Sequence, residues 1–122
     1  MSAVAGVGID AVDVDRFRHA LARRPGIAER LFTDGERADG NGDARRLAAR
    51  FAAKEAAMKA LSSGIGSFSW RDVEVVRAPS GAPSLRLAAA AAELARRRGV
   101  ARWHVSLTHT DRVAAAMVVA EA

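Results

Sequence analysis

The chain has 122 residues, half of them hydrophobic, with a net charge of +5 carried almost entirely by arginine, and no cysteine. That length suits one domain with a core of its own, and the apolar fraction rules out a disordered chain. The lack of cysteine excludes a disulfide framework and a thiolate zinc site and fits a reducing compartment. No apolar run is long enough to cross a bilayer, and the opening MSAVAGVGID has neither the basic nor the apolar region of a signal peptide, so a cytoplasmic protein is expected. The positive balance points to an acidic partner: nucleic acid, a phosphorylated ligand or an acidic protein. Aromatic residues make up only 5% and are not interleaved in a basic strand, which weakens a single-strand nucleic-acid reading.

VAGVGIDAV (4–12) is β-branched and glycine-containing, and predicts a strand ending at or just after Asp10. A helix follows from about Asp13, its N-cap, to Arg24, with Val14, Phe17, Ala20 and Leu21 as the apolar stripe. Pro25-Gly26 breaks it, and IAERLF is a short second helix. Thr33 and Glu36 have capping-box spacing for another short helix. DGNGD (39–43) reads as a turn, and a long alanine-rich helix runs from about Ala44 to Leu61. SSGIGS forms a glycine loop. DVEVVRA and SLRL are the arms of a hairpin across PSGAP, AAAAAELARRRG is a helix with a basic last turn, and RWHVSLTHT and VAAAMVVAEA are strands joined by a tight turn at Asp111-Arg112. No repeat or linker divides residues 1–122, and the mixture of helices and hairpins implies an α+β domain.

The long helix raises a chemical question, because RFAAKEAAMKA (50–60) sets Lys54, Glu55 and Lys59 among small apolar residues. Glu55 and Lys59 share a face, and as an exposed pair would stabilise the helix by roughly 0.3–0.5 kcal/mol with no further role. Arg46, Arg50 and Lys54 form an adjoining cationic row. Cations clustered around one carboxylate make sense if a polyanion and a divalent cation complete the set. Asp10 could supply a second oxygen, since magnesium takes one or two protein carboxylates with waters and phosphates. His109 ends its strand between Thr108 and Thr110, a polar cluster open to a phosphate. His104, five residues earlier, faces the other way and is structural, and His19 is solvated.

Three segments, GVGIDAVDVDRF, RFAAKEAAMKAL and HVSLTH, resemble in order the three motifs of the holo-acyl-carrier-protein synthases, the small trimeric class of 4′-phosphopantetheinyl transferases. The match extends over almost the whole chain. It implies a single transferase domain over 1–122, with a mainly antiparallel sheet packed on one long and several short helices. It also implies transfer of 4′-phosphopantetheine from coenzyme A to a serine of apo-acyl carrier protein, with adenosine 3′,5′-bisphosphate as the other product. Asp10 and Glu55 would then hold Mg2+ with the pyrophosphate, and Lys59 and His109 would contact phosphates. Arg50, helped by Arg46 or Lys54, would favour the 3′-phosphate, and Gly64 in the GIG triplet would lie near the pantetheine arm. Arg16 and Arg23 would meet an acidic helix of the carrier protein, and sites would lie at the interfaces of a homotrimer.

The serine must lose a proton, and Asp10, Glu55 and Lys59 are all candidates to assist. The segment around DGNGD looks shorter than in many relatives, which leaves Arg45 and Arg46 both as candidates for the nucleotide contact. Gly26 stands where relatives can carry an arginine. The competing reading is a non-catalytic polyanion- or nucleic-acid-binding module, which accounts for the arginines but not for Asp10 and Glu55 among them. No nucleic acid and no membrane is expected as partner.

Overall fold

The computed structural model describes residues 3–64 and 66–122. In chain order the elements are β1 (Val4–Asp13), α1 (Val14–Arg23), α2 (Ile27–Leu31), α3 (Asp34–Gly40), α4 (Ala44–Ala60), a 3-10 turn (Trp70–Asp72), β2 (Val73–Arg77), β3 (Pro83–Leu87), α5 (Ala89–Arg97), β4 (Arg102–His109) and β5 (Val113–Glu121). Strands β1, β5 and β4 form an antiparallel sheet in that order, and β2 with β3 forms a separate hairpin. This is the expected α+β architecture.

Local chemistry accounts for the helix ends. The Asp13 side chain accepts from the Arg16 N–H at 2.9 Å, satisfying one of the free donors at the start of α1. The capping box at α3 is complete: Thr33 Oγ1 accepts from Glu36 N–H and Glu36 Oε1 accepts from Thr33 N–H. Helix α4 closes in a Schellman arrangement, with Ser63 N–H on the Met58 carbonyl and Ser62 N–H on that of Lys59, and Ser62 takes the left-handed conformation at φ 52°.

Helix α4 is the centre of the molecule. Ala52, Ala53, Ala56, Ala57 and Ala60 are buried against the inner face of the sheet, and alanine combines high helix propensity with the smallest side chain that still packs. The strand answers with glycine. A Cβ placed on Gly8 would lie 1.8 Å from the Ala56 carbonyl oxygen, and one on Gly6 would lie 2.0 Å from that of Ala60. Strand β1 therefore rests directly on the backbone of α4. Val14, Phe17, Phe32 and Leu47 close the core at the other end of this helix, with Phe17 edge-on to Phe32 at 6.1 Å between ring centroids.

Two boundaries differ from the sequence reading. Strand β1 continues three residues past Asp10, because β5 pairs with it as far as Asp13↔Val113; Asp10 is a mid-strand residue opposite Ala116. The first residues of DGNGD belong to α3, which runs through Gly40 before Asn41 turns the chain. The 3-10 turn at Trp70, capped by Ser69, has no counterpart in the sequence reading. No helix among the described residues is long and apolar enough to cross a membrane.

Candidate active site

The site begins where β1 lies against α4. With no side chain on Gly6 or Gly8, the next residue on the same strand face, Asp10, is carried up to the exposed end of Glu55 and Lys59. Lys59 Nζ donates to Asp10 Oδ1 at 3.2 Å and to the Ile9 carbonyl at 2.9 Å. The Glu55 carboxyl feels the charge of Asp10, and its pKa is pushed up to about 7. Burial is the largest cause, followed by the charge and hydrogen bond of Asp10; Lys59 pulls the other way.

That arrangement tests the fit of a divalent cation. A divalent cation held by Asp10 and Glu55 would offset the like charge that helps to raise the Glu55 pKa. Among the described residues no group of three or more histidine, cysteine or acidic side chains gathers to hold a metal. The donor set is thus two carboxylates, which suits magnesium completed by water and phosphate and does not suit an all-protein cage.

Toward its N-terminus, α4 borders a cavity of about 280 Å3 lined by Arg46, Arg50 and His109, and also by Arg77 and Gly81 of the β2–β3 hairpin. Arg50 is only 4% exposed. Its Nη1 donates to the Arg46 carbonyl at 3.2 Å, while its Nε has no hydrogen-bond partner among the described residues. Burial pulls the Arg50 pKa below its ordinary value, an effect opposed by Asp39 and Glu36 at longer range. A buried guanidinium without a close carboxylate is costly unless an anion is supplied to it.

The structure also separates Arg45 from Arg46. Arg45 is clamped by Asp43 at 3.0 Å and by Asp111 of the β4–β5 turn at 2.8 Å, and does not line the cavity that His109 borders. Arg46 lines the cationic cavity. Arg16 and Arg23 are exposed on α1, and Arg16 borders a second cavity, of about 340 Å3, that Glu55 also lines. Gly64 is exposed after α4, with open space where a Cβ would be. Ile65, the centre of the GIG triplet, lies outside the described residues. His104 is exposed and 3.5 Å from Glu121, and His19 is exposed on α1.

Lys54 is a correction. Expected beside the phosphates, it is fully buried, with Nζ 2.7 Å from Glu36 Oε1, 3.0 Å from the Trp70 carbonyl and also bonded to the Val73 carbonyl. It lies 5.6 Å from the centroid of the Phe32 ring. Every donor is taken inside the protein, and no face is open to a ligand. Glu36 and Arg77 escaped the sequence reading. Glu36 was accounted for by its capping box, although its Oε2 also accepts from Val75 N–H at 2.9 Å. Arg77 has no sequence signal, since its relevance depends on the hairpin lying beside α4.

The family model of the 4′-phosphopantetheinyl transferase superfamily matches residues 6–118. The chain is 58% identical to the holo-[acyl-carrier-protein] synthase of Frankia casuarinae over 98% of both chains, and 51% identical to that of Salinispora arenicola over 97% of this chain and 98% of that one. Its fold matches the Mycobacterium tuberculosis acyl carrier protein synthase at a TM-score of 0.76 and 38% identity, over 98% of this chain and 99% of that one. It matches the Helicobacter pylori holo-[acyl-carrier-protein] synthase, solved with coenzyme A, at 0.85 and 29%, over 93% and 98%. The family model over residues 6–118 and the identity to these synthases over nearly the whole chain agree: the chain belongs to the 4′-phosphopantetheinyl transferase superfamily, among the holo-[acyl-carrier-protein] synthases.

Proposed function

We propose that this enzyme transfers 4′-phosphopantetheine from coenzyme A to a serine of apo-acyl carrier protein in a magnesium-dependent reaction. The observation that carries this is the Asp10–Glu55–Lys59 cluster, built on the same helix as the arginines of the cationic cavity. The serine oxygen forms a bond to the β-phosphorus of the coenzyme A pyrophosphate as the bond to the bridging oxygen breaks. The serine proton passes to a carboxylate of the cluster or to water, and adenosine 3′,5′-bisphosphate leaves with the bridging oxygen. The leaving group is itself a phosphate, so no strong acid is needed.

Asp10 and Glu55 are the residues that would hold the magnesium ion, which when bound neutralises pyrophosphate charge. Lys59 stands beside them with an exposed ammonium to meet the same charge, which is worth most where charge develops in the transition state. Glu55, with a pKa near 7, is the carboxylate whose ionisation responds most to a cation at neutral pH. Arg46, Arg50 and His109 are suited to the nucleotide phosphates, and Gly64 leaves open space beside the pantetheine arm. Arg16 and Arg23 suit the acidic helix of the carrier protein, and Arg16 does so beside the cavity that Glu55 lines.

A homotrimer in the cytoplasm belongs to the same reading. Its support is the outer face of the sheet, where Val7, Ile9 and Met117 are 62%, 65% and 51% exposed and Ile9 pairs with Met117. An apolar face of this kind favours burial against another copy. Light scattering at three times the chain mass is expected; a single-chain mass at micromolar concentration would refute the trimer. The reaction itself is tested by intact mass of apo-acyl carrier protein incubated with enzyme and coenzyme A, with and without magnesium. Gain of one phosphopantetheine only with magnesium is expected. No gain with folded enzyme and several carrier proteins would return the chain to a polyanion-binding module.

A further inference from the structure

Arg77 is unused by the cluster at Asp10, and it comes from an element outside the main sheet. It ends β2, pairs with Pro83 across the hairpin and lines the cationic cavity opposite Arg46 and Arg50 of α4. The turn makes room for it. Gly81 has φ +90°, and a Cβ there would lie 3.4 Å from Arg77 Nη2, so the bare turn rests against the guanidinium. No carboxylate lines this cavity, and among the described residues neither Arg77 nor Arg50 has a carboxylate oxygen within 4.0 Å. The Arg77 charge bears on Arg50, depressing its pKa further. Three guanidinium groups and His109 therefore surround one small space that contains no anionic side chain, and the most buried of them has an unpartnered Nε.

We infer that Arg77 is a specificity-determining residue of the transferase, and that it closes a phosphate-monoester pocket from the hairpin side. A dianionic monoester offers three oxygens, enough for forks from two elements at once. A diester or an unphosphorylated ribose offers too little charge to hold the guanidinium groups together. On the reading of the chain as a coenzyme A-dependent transferase, on which this inference rests, the group read is the 3′-phosphate. Arg77 then decides whether coenzyme A is accepted over its 3′-dephospho form.

The test uses the full-length wild type with Arg77→Gln, Arg77→Lys and Arg86→Gln. Arg86 lies on the same hairpin, pairs with Glu74 at 2.8 Å and does not line the cavity, so it controls for loss of a charge. Calorimetric titration with adenosine 3′,5′-bisphosphate, adenosine 5′-monophosphate and inorganic phosphate is paired with transfer from coenzyme A and from 3′-dephospho-coenzyme A. Wild type is expected to prefer the 3′-phosphorylated member of each pair. Arg77→Gln reduces that preference about 10-fold or more, the loss of one charged hydrogen-bonding fork, with its melting temperature unchanged. Arg77→Lys restores part of it, and Arg86→Gln leaves it intact. An Arg77→Gln protein that discriminates as wild type does overturns the inference while leaving the transferase reading intact. Wild type that binds inorganic phosphate as tightly as the bisphosphate also overturns it, since the pocket is then a general anion site. Absence of any transfer by wild type sinks the transferase reading, and the titrations still report separately on Arg77.

Discussion

Replacing Lys54 with methionine separates a structural lysine from a ligand-binding one. The ammonium is fully buried and holds three acceptors: Glu36 Oε1 and the Trp70 and Val73 carbonyls. Burial pulls its pKa below the ordinary lysine value, and Glu36 opposes that pull, so the pair survives through mutual compensation. Methionine fills similar space but leaves the Glu36 carboxyl with only the Thr33 and Val75 N–H groups, takes the lysine donor from the Val73 carbonyl and leaves the Trp70 carbonyl only the Val73 N–H. Breaking one side of such a pair costs about 3–5 kcal/mol. For a domain of this size, at about 4 °C per kcal/mol, the melting midpoint falls by roughly 12–20 °C. Circular dichroism of the 222 nm signal reads this directly. Adding Glu36→Gln removes the stranded charge and should recover about half of the loss. A Lys54→Met protein that melts within about 3 °C of wild type, yet has a raised KM for coenzyme A, would refute the structural assignment and return Lys54 to the phosphates.

Glu55→Gln should lower magnesium-dependent transfer by about 100-fold or more with the fold retained, read by carrier-protein mass. The same substitution has a pH signature without metal. The Glu55 pKa is raised from 4.5 to about 7, so its stabilising contribution is present at low pH and is lost as pH rises through about 7. In chelator, the melting temperature of wild type should therefore fall relative to Glu55→Gln between about pH 5 and pH 8. A constant difference across that range would show that the Glu55 pKa is not raised in the folded protein. Arg46→Ala should raise the KM for coenzyme A about 10-fold, while Arg45→Ala leaves it unchanged because Asp43 and Asp111 already occupy that side chain; the reverse order would reassign the nucleotide contact. Arg16→Glu should weaken carrier-protein binding about 10-fold, with a smaller salt dependence, and spare coenzyme A binding; unchanged affinity in a carrier-protein titration would remove Arg16 from that surface.

What could be read from the sequence depended on how far apart the interacting residues lie along the chain. Asp13 and the Thr33–Glu36 box act within three residues, so their patterns were visible. The β-branched residues of β1 and the alanine run of α4 mark those elements for the same reason. The burial of Lys54 has no local signal, because its partner lies 18 residues away, inside a capping box that already accounts for that partner. Asp10 reads in the sequence as a candidate ligand at a strand end, since nothing local shows that β5 pairs on to Asp13. The choice between Arg45 and Arg46 turned on Asp111, 66 residues from Arg45 and brought there by the β4–β5 turn. Arg77 depended on where a whole hairpin docks.

The bare backbone of β1 has a bearing on engineering. Glycines with ordinary negative φ are the usual targets for thermostabilisation, since an added methyl group removes freedom from the unfolded chain and gains about 0.4–1 kcal/mol where there is room. Gly6 and Gly8 meet the backbone criterion and fail the spatial one by more than an ångström. Their missing methyl groups act as a gauge, fixing how closely strand and helix approach and hence the gap between Asp10 on one and Glu55 and Lys59 on the other. A library built on sequence propensity would choose these positions early and would widen that gap first.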